Sequence, residues 1–186
     1  SSIHFAAEDR PDEYRVHLQD EILDPLDQKP IFEVPYVHAR KGTAKLRPDG
    51  MLRVDNLVKR KAIVFMVEVD LANEQIRRSS TNVSIEQKLM MYQEFIDRKL
   101  YKKALNIPAG CVLLFLTTNE THRKHILEFS KEMAGRESGF NWFWTRTIPG
   151  WDGFDYETPP LMYDLLTEPY YRADDSRCWL NGDIDS

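Results

Sequence analysis

The stretch AIVFMVEVDL, residues 62–71, says most about how this chain folds. Every residue from 62 to 67 is apolar, and such a run is typical of a strand that is covered on both faces. Because alternate side chains of a strand share a face, we expect Glu68 and Asp70 on one side, about 7 Å apart. A carboxylate at the end of a buried strand is unfavourable unless it is paired, hydrogen-bonded or bound to a cation. The stretch therefore predicts a central strand that ends in two acids needing partners.

A second strand is predicted just before it, over residues 46–54, with Asp49 in its middle. Antiparallel pairing of the two strands would bring Asp49 beside Glu68. Hard divalent cations such as Mg²⁺ prefer oxygen ligands, commonly one or two carboxylates completed by waters. The alternative interpretation is that Asp49 lies in a turn or bulge and that Glu68 and Asp70 face solvent where the strand leaves the sheet.

Further along the chain, strand and helix patterns alternate. Ser84 and Gln87 have the spacing of a capping box, and Gly135 is placed to end a later helix. The order of elements indicates an α/β fold with a mixed sheet flanked by helices. The predicted elements are a helix over residues 12–23, an edge strand over 31–39 that contains Pro35, a helix over 84–105, a strand over 111–117, a helix over 121–134 and a strand over 140–147.

The composition suits one core. The chain has 186 residues and is 42% hydrophobic, so we expect an α/β domain over residues 1–148 and an irregular aromatic and acidic tail over 149–186 packed on it. In the aromatic strand, Phe140, Trp142 and Trp144 are predicted on one side as core residues. No apolar run is long enough to span a membrane. The positions of the two cysteines suggest reduced thiols more than a disulfide framework. Together these features predict a cytoplasmic protein without a membrane partner.

The net charge limits how the chain could bind nucleic acid. A formal charge of −5 argues against a protein covered in positive charge for binding the DNA backbone. Two segments, residues 53–60 and 98–103, are nevertheless locally basic, and both are expected to be solvated faces. His122 and His125 are likewise expected on a solvated helix face, in preference to a zinc site.

The residues RPDG at 47–50 and FMVEVD at 65–70 resemble the PD-(D/E)xK nuclease pattern, in which a proline-aspartate pair precedes an acid-x-lysine on the next strand. Asp70 stands where that pattern has its lysine. This departure, together with KLMMY at 88–92 in the following helix, resembles the replication-relaxation family, which includes the MOBC-class relaxases of mobilisable plasmids. The resemblance covers residues 31–147 and implies a restriction-endonuclease-like fold.

That resemblance implies a metal-dependent reaction on DNA, namely nicking or processing of a phosphodiester in plasmid mobilisation or replication, with relaxosome proteins as partners. Asp49 and Glu68, with the main-chain carbonyl of Val69, would hold Mg²⁺ or Mn²⁺. Asp70 would be a further acid beside that metal or at a second one. The competing hypothesis is a nuclease-derived module that binds DNA or a partner protein without cleaving, which the acidic charge and the missing lysine favour.

The missing lysine must be replaced, because such a site needs a cation near the attacked phosphate. A helical projection of residues 84–105 puts Lys88 and Tyr92 at the edge of the stripe that faces the sheet. We therefore expect Lys88 to be the electrostatic partner of the phosphate and Tyr92 to bind substrate. The alternative is that Lys88 lays its stem along the core and sends its ammonium into water. Glu33 is a further candidate for substrate binding, or else an outward-facing edge-strand glutamate.

Overall fold

The computed structural model describes residues 13–23, 30–35, 43–71, 76, 84–106, 109–148, 168–180 and 184–185. These residues form ten strands and four helices. The strands are β1 (Tyr14–Leu18), β2 (Phe32–Pro35), β3 (Thr43–Leu46), β4 (Gly50–Asn56), β5 (Lys61–Asp70), β6 (Gly110–Thr117), β7 (Phe143–Thr147), β8 (Tyr170–Tyr171), β9 (Arg177–Cys178) and β10 (Ile184–Asp185). The helices are α1 (Gln19–Ile22), α2 (Ile85–Asp97), α3 (Leu100–Leu105) and α4 (Glu120–Ala134).

Eight strands form one mixed sheet in the order β1-β4-β5-β6-β7-β8-β9-β10, and β2 and β3 form a separate antiparallel pair. The β5, β6 and β7 strands are parallel, whereas their neighbours on both sides are antiparallel. Parallel neighbours need a crossover, which α2 and α3 supply between β5 and β6, and α4 between β6 and β7. The predicted mixed sheet flanked by helices is confirmed.

The β5 strand separates two hydrophobic cores, as its sequence predicts. Val64 and Met66 pack into the core beneath α2 and α4, while Phe65 packs into the core on the opposite face of the sheet. Glu68 and Asp70 share the face of Val64 and Met66 by strand alternation. Both acids therefore point toward the layer of helices.

The helix predicted over residues 84–105 begins as expected and ends early. Ser84 Oγ accepts the N–H of Gln87 at 3.3 Å, and Gln87 Oε1 accepts the N–H of Ser84 at 3.1 Å, so the predicted capping box is confirmed. The single helix is wrong, because Lys99 has a left-handed φ of 55° that separates α2 from α3. The break lets Tyr101 turn back toward Phe95, with 6.2 Å between ring centroids.

The helix predicted over residues 12–23 is also wrong. Residues 14–18 form β1, which pairs antiparallel with β4 so that Val16 lies opposite Val54, and only α1 is helical. Tyr14 and Val16 pack against the core around Phe65. Sheet pairing and burial outweigh the weak local preference for helix.

The strand predicted over residues 46–54 is two strands in two different sheets. The β3 strand ends at Leu46 and β4 begins at Gly50, so Pro48 and Asp49 lie between them. Proline has no N–H for a ladder, which favours an interruption at this point. The predicted edge position of Pro35 is confirmed, since β2 pairs only with β3 among the described strands, and residues 36–39 of that predicted strand lie outside the described part of the chain.

The aromatic strand is shorter than predicted. A turn in which Phe143 N–H donates to the carbonyl of Phe140 at 3.0 Å precedes β7 and resets the alternation. Phe140 and Trp142 stack with 4.6 Å between ring centroids and contact the core under the helices, whereas Trp144 lies in the opposite core. The predicted common side for these three residues is therefore wrong.

Part of the predicted tail joins the sheet. The β8 strand pairs with β7, placing Tyr171 opposite Thr145, and β9 pairs with β8. Residues 149–167 lie outside the described part of the chain, and the domain boundary at residue 148 stays a prediction. Among the described helices, none has the length and apolar character that a membrane crossing requires.

Two glycines with positive φ provide a test of how tightly segment 168–180 packs on α4. Gly139 has φ 59°, and a Cβ there would lie 2.6 Å from Ser130 Oγ and 3.0 Å from Ala173 Cβ. Gly135 has φ 63°, with nothing within 4 Å of an added Cβ. We expect Gly135→Ala to lower the free energy of unfolding by about 1 kcal/mol from backbone strain alone. Gly139→Ala should lower the free energy of unfolding by the same amount and by about 1–3 kcal/mol more, because the added methyl group overpacks against Ser130 and Ala173.

Urea denaturation of both variants against the unsubstituted protein measures this difference. Gly135→Ala is the control for backbone strain, because its left-handed backbone matches that of Gly139. Equal losses in the two variants would contradict close packing of Ala173 on the end of α4.

Candidate functional site at the carboxyl end of the central strand

The parallel strands β5, β6 and β7 end at a common edge of the sheet. Their register places Asp70 beside Thr117 and Thr117 beside Thr147. In open α/β sheets, ligands bind outside the carboxyl ends of the strands, where side chains from strands and helix starts meet. Asp49, Glu68 and Asp70, the acids predicted from the sequence, lie at or next to this edge.

Glu68 and Asp70 are both buried at this edge of the sheet. The side chain of Glu68 is 3% exposed, yet both of its oxygens have hydrogen-bond donors from α2. Tyr92 Oη donates to Oε1 at 2.6 Å, and Lys88 Nζ donates to Oε2 at 2.9 Å. Since Lys88 and Tyr92 are four residues apart, they are neighbours on one helix face and reach the same carboxylate. The expected orientation of Lys88 toward the sheet is confirmed, and its ammonium pairs with Glu68 as well.

Burial controls the protonation of this cluster. Removal from water raises the pKa of Glu68 above its ordinary value, although the Lys88 charge and the Tyr92 hydrogen bond act in the opposite direction. The charge of Asp49 raises it a little more. Burial, followed by the charge of Glu68, also raises the pKa of Tyr92 well above its usual range, so its hydroxyl remains a donor.

Asp49 lies next to the same part of β5. Its N–H donates to the carbonyl of Val67 at 2.9 Å, and its Oδ2 accepts the N–H of Val69 at 2.8 Å. The antiparallel pairing of β4 with β5 thus brings Asp49 alongside residues 67–69, as expected from the sequence. Unlike Glu68, Asp49 is exposed to solvent.

Asp70 has a partner that the sequence did not reveal. It is buried, and its Oδ2 lies 2.6 Å from Nε2 of His122 in the first turn of α4. Asn119 caps that helix by accepting the N–H of His122 at 3.0 Å. The expectation that His122 lies on a solvated face is wrong. The signal was available in the topology, because Asp70 ends β5 and His122 follows the neighbouring parallel strand β6.

Glu33 lies on β2, in the separate two-stranded sheet. It is exposed on β2, opposite Lys45 of β3, while the adjacent Phe32 packs on Phe95 with 4.8 Å between ring centroids. No hydrogen bond or ion pair in the described residues joins Glu33 to Glu68 or Asp70. Its predicted part in substrate binding stays a prediction.

A polar cleft of about 360 Å³ continues along the same edge, and sequence reasoning missed it. Arg123 holds Glu120 through Nε at 2.7 Å and Nη2 at 2.6 Å, and Thr147 Oγ1 donates to Glu120 at 2.6 Å. The hydrogen bond from Arg123 is the main reason that the pKa of Glu120 falls to about 2. The cleft is lined by Glu120, Arg123, Arg146, Thr147, Glu168, Pro169 and Tyr171.

Asp49, Glu68 and the main-chain carbonyl of Val69 are the oxygens that the sequence predicts to hold Mg²⁺ or Mn²⁺. Within the part of the chain that the structure describes, no three or more His, Cys, Asp or Glu side chains are arranged to hold a metal ion. The predicted set has the ligand type that Mg²⁺ prefers and would leave several positions around the ion to water, and it stays a prediction. Each carboxylate oxygen has two lone pairs, so Glu68 retains acceptor capacity beyond its bonds to Lys88 and Tyr92.

Comparisons with protein-family models, with curated proteins and with solved structures find no match to this chain. The chain is a mixed α/β protein whose central strand ends in buried carboxylates. The resemblance to the replication-relaxation family stays a prediction from short motifs.

The raised pKa of Glu68 predicts how stability changes with pH in the metal-free protein. An unfolded glutamate titrates near 4.5, whereas folded Glu68 titrates higher, so the folded state keeps a proton that the unfolded state has lost. The stability that this difference contributes is present below pH 4.5 and is lost as pH rises through the folded-state pKa. Glu68→Gln should remove this loss, because its side chain does not titrate.

The measurement is the free energy of unfolding in urea between pH 4 and pH 8, with a chelator present. Glu33→Gln, on an exposed strand, is the control and should keep the original pH profile. If Glu68→Gln shows the same decline as the unsubstituted protein, Glu68 is not the group responsible.

Proposed function

We propose that this protein is a metal-dependent enzyme of DNA nicking or processing, similar to relaxases and nucleases and acting in plasmid mobilisation or replication. The observation that carries the proposal is the buried Glu68 carboxylate, held by Lys88 and Tyr92 and placed near Asp49. A buried acid with a raised pKa and specific charge partners is typical of a functional site. The proposal includes a restriction-endonuclease-like fold and a cytoplasmic location.

Asp49 and Glu68, with the carbonyl of Val69, would hold Mg²⁺ or Mn²⁺. When bound, the ion would supply positive charge to the attacked phosphate and lower the pKa of a coordinated water. The N–H of Val69 donates to Oδ2 of Asp49. This hydrogen bond fixes the orientation of the whole carboxylate, and therefore also the position of its other oxygen. Glu68 is oriented from the opposite side by α2.

Lys88 supplies the fixed cation that the motif lacks at position 70. Its ammonium stays within 2.9 Å of Glu68, at the site where a phosphate would approach, and would stabilise negative charge that develops during attack. Tyr92 is fully buried, so we assign it a positioning role on Glu68 in place of the predicted contact with substrate. Asp70 would act beside the metal site by holding His122 in place.

A binding module without catalysis is the second candidate function. Both oxygens of Glu68 already have protein donors, which is the arrangement expected of a cluster that serves only to hold α2 on β5. Such a module would bind DNA or a relaxosome protein and leave the phosphodiester intact. The two candidates differ in whether Mn²⁺ produces nicks.

Nicking of supercoiled plasmid in Mn²⁺ or Mg²⁺ tests the catalytic proposal. We expect the unsubstituted protein to produce open circles, and Asp49→Ala to reduce the rate by about 100-fold or more, the scale of losing a group that stabilises transition-state charge. Asp97→Ala removes an exposed acid at the end of α2 and should leave the rate unchanged. An inactive unsubstituted protein, or equal rates in the Asp49→Ala variant, would leave the binding module as the function.

Lys88 gives a second prediction for the same reaction. Lys88→Met should lower the rate constant of nicking by about 10²–10³-fold at saturating plasmid, because a preorganised cation is removed. Lys88→Arg should retain part of the activity, since the charge remains. Lys103→Met, on the exposed face of α3, is the control, and thermal unfolding of each variant separates lost activity from lost fold. A Lys88→Met variant that is folded and fully active would contradict the role of Lys88.

A further inference from the structure

The turn between β4 and β5 carries an exposed apolar pair followed by three cations. Residues 57–61, here called the hairpin tip, are Leu57, Val58, Lys59, Arg60 and Lys61. Val58 is 70% exposed and Leu57 40% exposed, in a chain whose net charge is −5. Two neighbouring apolar side chains beside three exposed cations leave apolar surface in water that a bound partner would cover.

Two hydrogen bonds with residues outside the hairpin tip restrain its backbone. Asn56, itself buried, accepts the N–H of Lys59 through Oδ1 at 2.7 Å. The N–H of Leu57 donates to the carbonyl of Glu13 at 2.8 Å, which ties the turn to the chain entering β1. Arg60 completes the turn with a left-handed φ of 50°. A preorganised turn loses little conformational freedom on binding.

Positive charge concentrates at the hairpin tip rather than along the whole basic segment predicted over residues 53–60. Arg53 is neutralised by Asp55, with bonds of 2.6 Å and 2.9 Å, and His17 also contacts Asp55. Lys59, Arg60 and Lys61 at the tip are all exposed.

We propose that the hairpin tip binds duplex DNA, with its cations on phosphates and Val58 in a groove. The inference rests on DNA being the substrate in the proposed function. A two-stranded antiparallel ribbon fits the major groove, and apolar side chains at such tips insert between bases in the minor groove. Two apolar residues are too small a surface for stable anchoring in a lipid bilayer, so the phosphate backbone is the occupant that the charge favours.

The position of the hairpin tip sets where it meets the DNA. Lys61 and Glu68 lie at opposite ends of β5, about 23 Å apart at 3.3 Å per residue. At about 3.4 Å per base pair along each strand, this is roughly seven base pairs. The tip therefore binds DNA that flanks the site of reaction and does not enter the Glu68 cluster.

The test compares two triple variants that remove the same charge. One replaces Lys59, Arg60 and Lys61 with glutamine, and the control replaces Lys99, Lys102 and Lys103 with glutamine. Both triplets are exposed, and each contains one residue with positive φ, 50° at Arg60 and 55° at Lys99. Binding to a fluorescent 30-base-pair duplex is measured by anisotropy from 50 to 300 mM KCl, in EDTA so that no nicking occurs.

In the tip variant we expect the slope of log affinity against log salt concentration to decrease in magnitude by about 2–3, since each phosphate contact contributes about 0.9 to that slope. At 50 mM KCl its affinity should fall at least tenfold, whereas the control triplet should stay within twofold. Val58→Ser should weaken binding severalfold without changing the slope. Circular dichroism verifies that each variant is folded.

Equal losses in the two triple variants, or no loss in either, would overturn the proposal, as would an unsubstituted protein that prefers phosphatidylserine vesicles to the duplex. Asp97→Ala, the exposed control at the end of α2, should bind the duplex as tightly as the unsubstituted protein. If tip-dependent binding is found without nicking, only the catalytic proposal fails. If nicking is found while the tip variant binds normally, only the hairpin inference fails.

Discussion

A carboxylate buried between a helix and a sheet constrains the elements around it more than any apolar contact does. An unpartnered charge at Glu68 would strongly disfavour folding, because its side chain is almost completely buried. Lys88 and Tyr92, one helical turn apart, donate hydrogen bonds to this carboxylate. The two bonds fix both the rotation of α2 about its own axis and its position along β5. The capping box at Ser84 sets where that helix starts and thereby where the two donors lie.

The same principle extends along the edge of the sheet, where two of the three parallel strands, β5 and β7, end in a polar residue that contacts the first turn of α4. Asp70 of β5 pairs with His122 of α4, and Thr147 of β7 donates to Glu120. Apolar layers lie directly beneath, with Met66 two residues before Glu68 on the same face. Polar chemistry is thus confined to one end of an otherwise dry helix–sheet interface. This confinement of polar groups is the structural feature on which the proposed function rests.

The candidate site could be predicted from the sequence where a regular period connects the residues. Strand alternation places Glu68 with Asp70, and the helical period places Lys88 with Tyr92 on the side that faces the sheet. The hydrogen bonds from Lys88 and Tyr92 to Glu68 were not predicted. The His122 contact depends on the order of strands in the sheet, which no local pattern contains. The cleft around Arg123 and Tyr171 was missed for the same reason, because its two walls are far apart in the chain.

The sequence alone determined the features that neighbouring residues decide among themselves. These are the double-faced burial of β5, the start of α2 at its capping box and the end of α4 at Gly135. Tertiary structure decided the rest, since β1 is a strand only because β4 offers it a partner, and the helix breaks at Lys99 so that Tyr101 can return to the core. Periodicity is a property of a segment, whereas a partner is chosen by the free energy of the whole fold. The carboxylates were therefore visible in the sequence, and the groups that hold Asp70 in place were not.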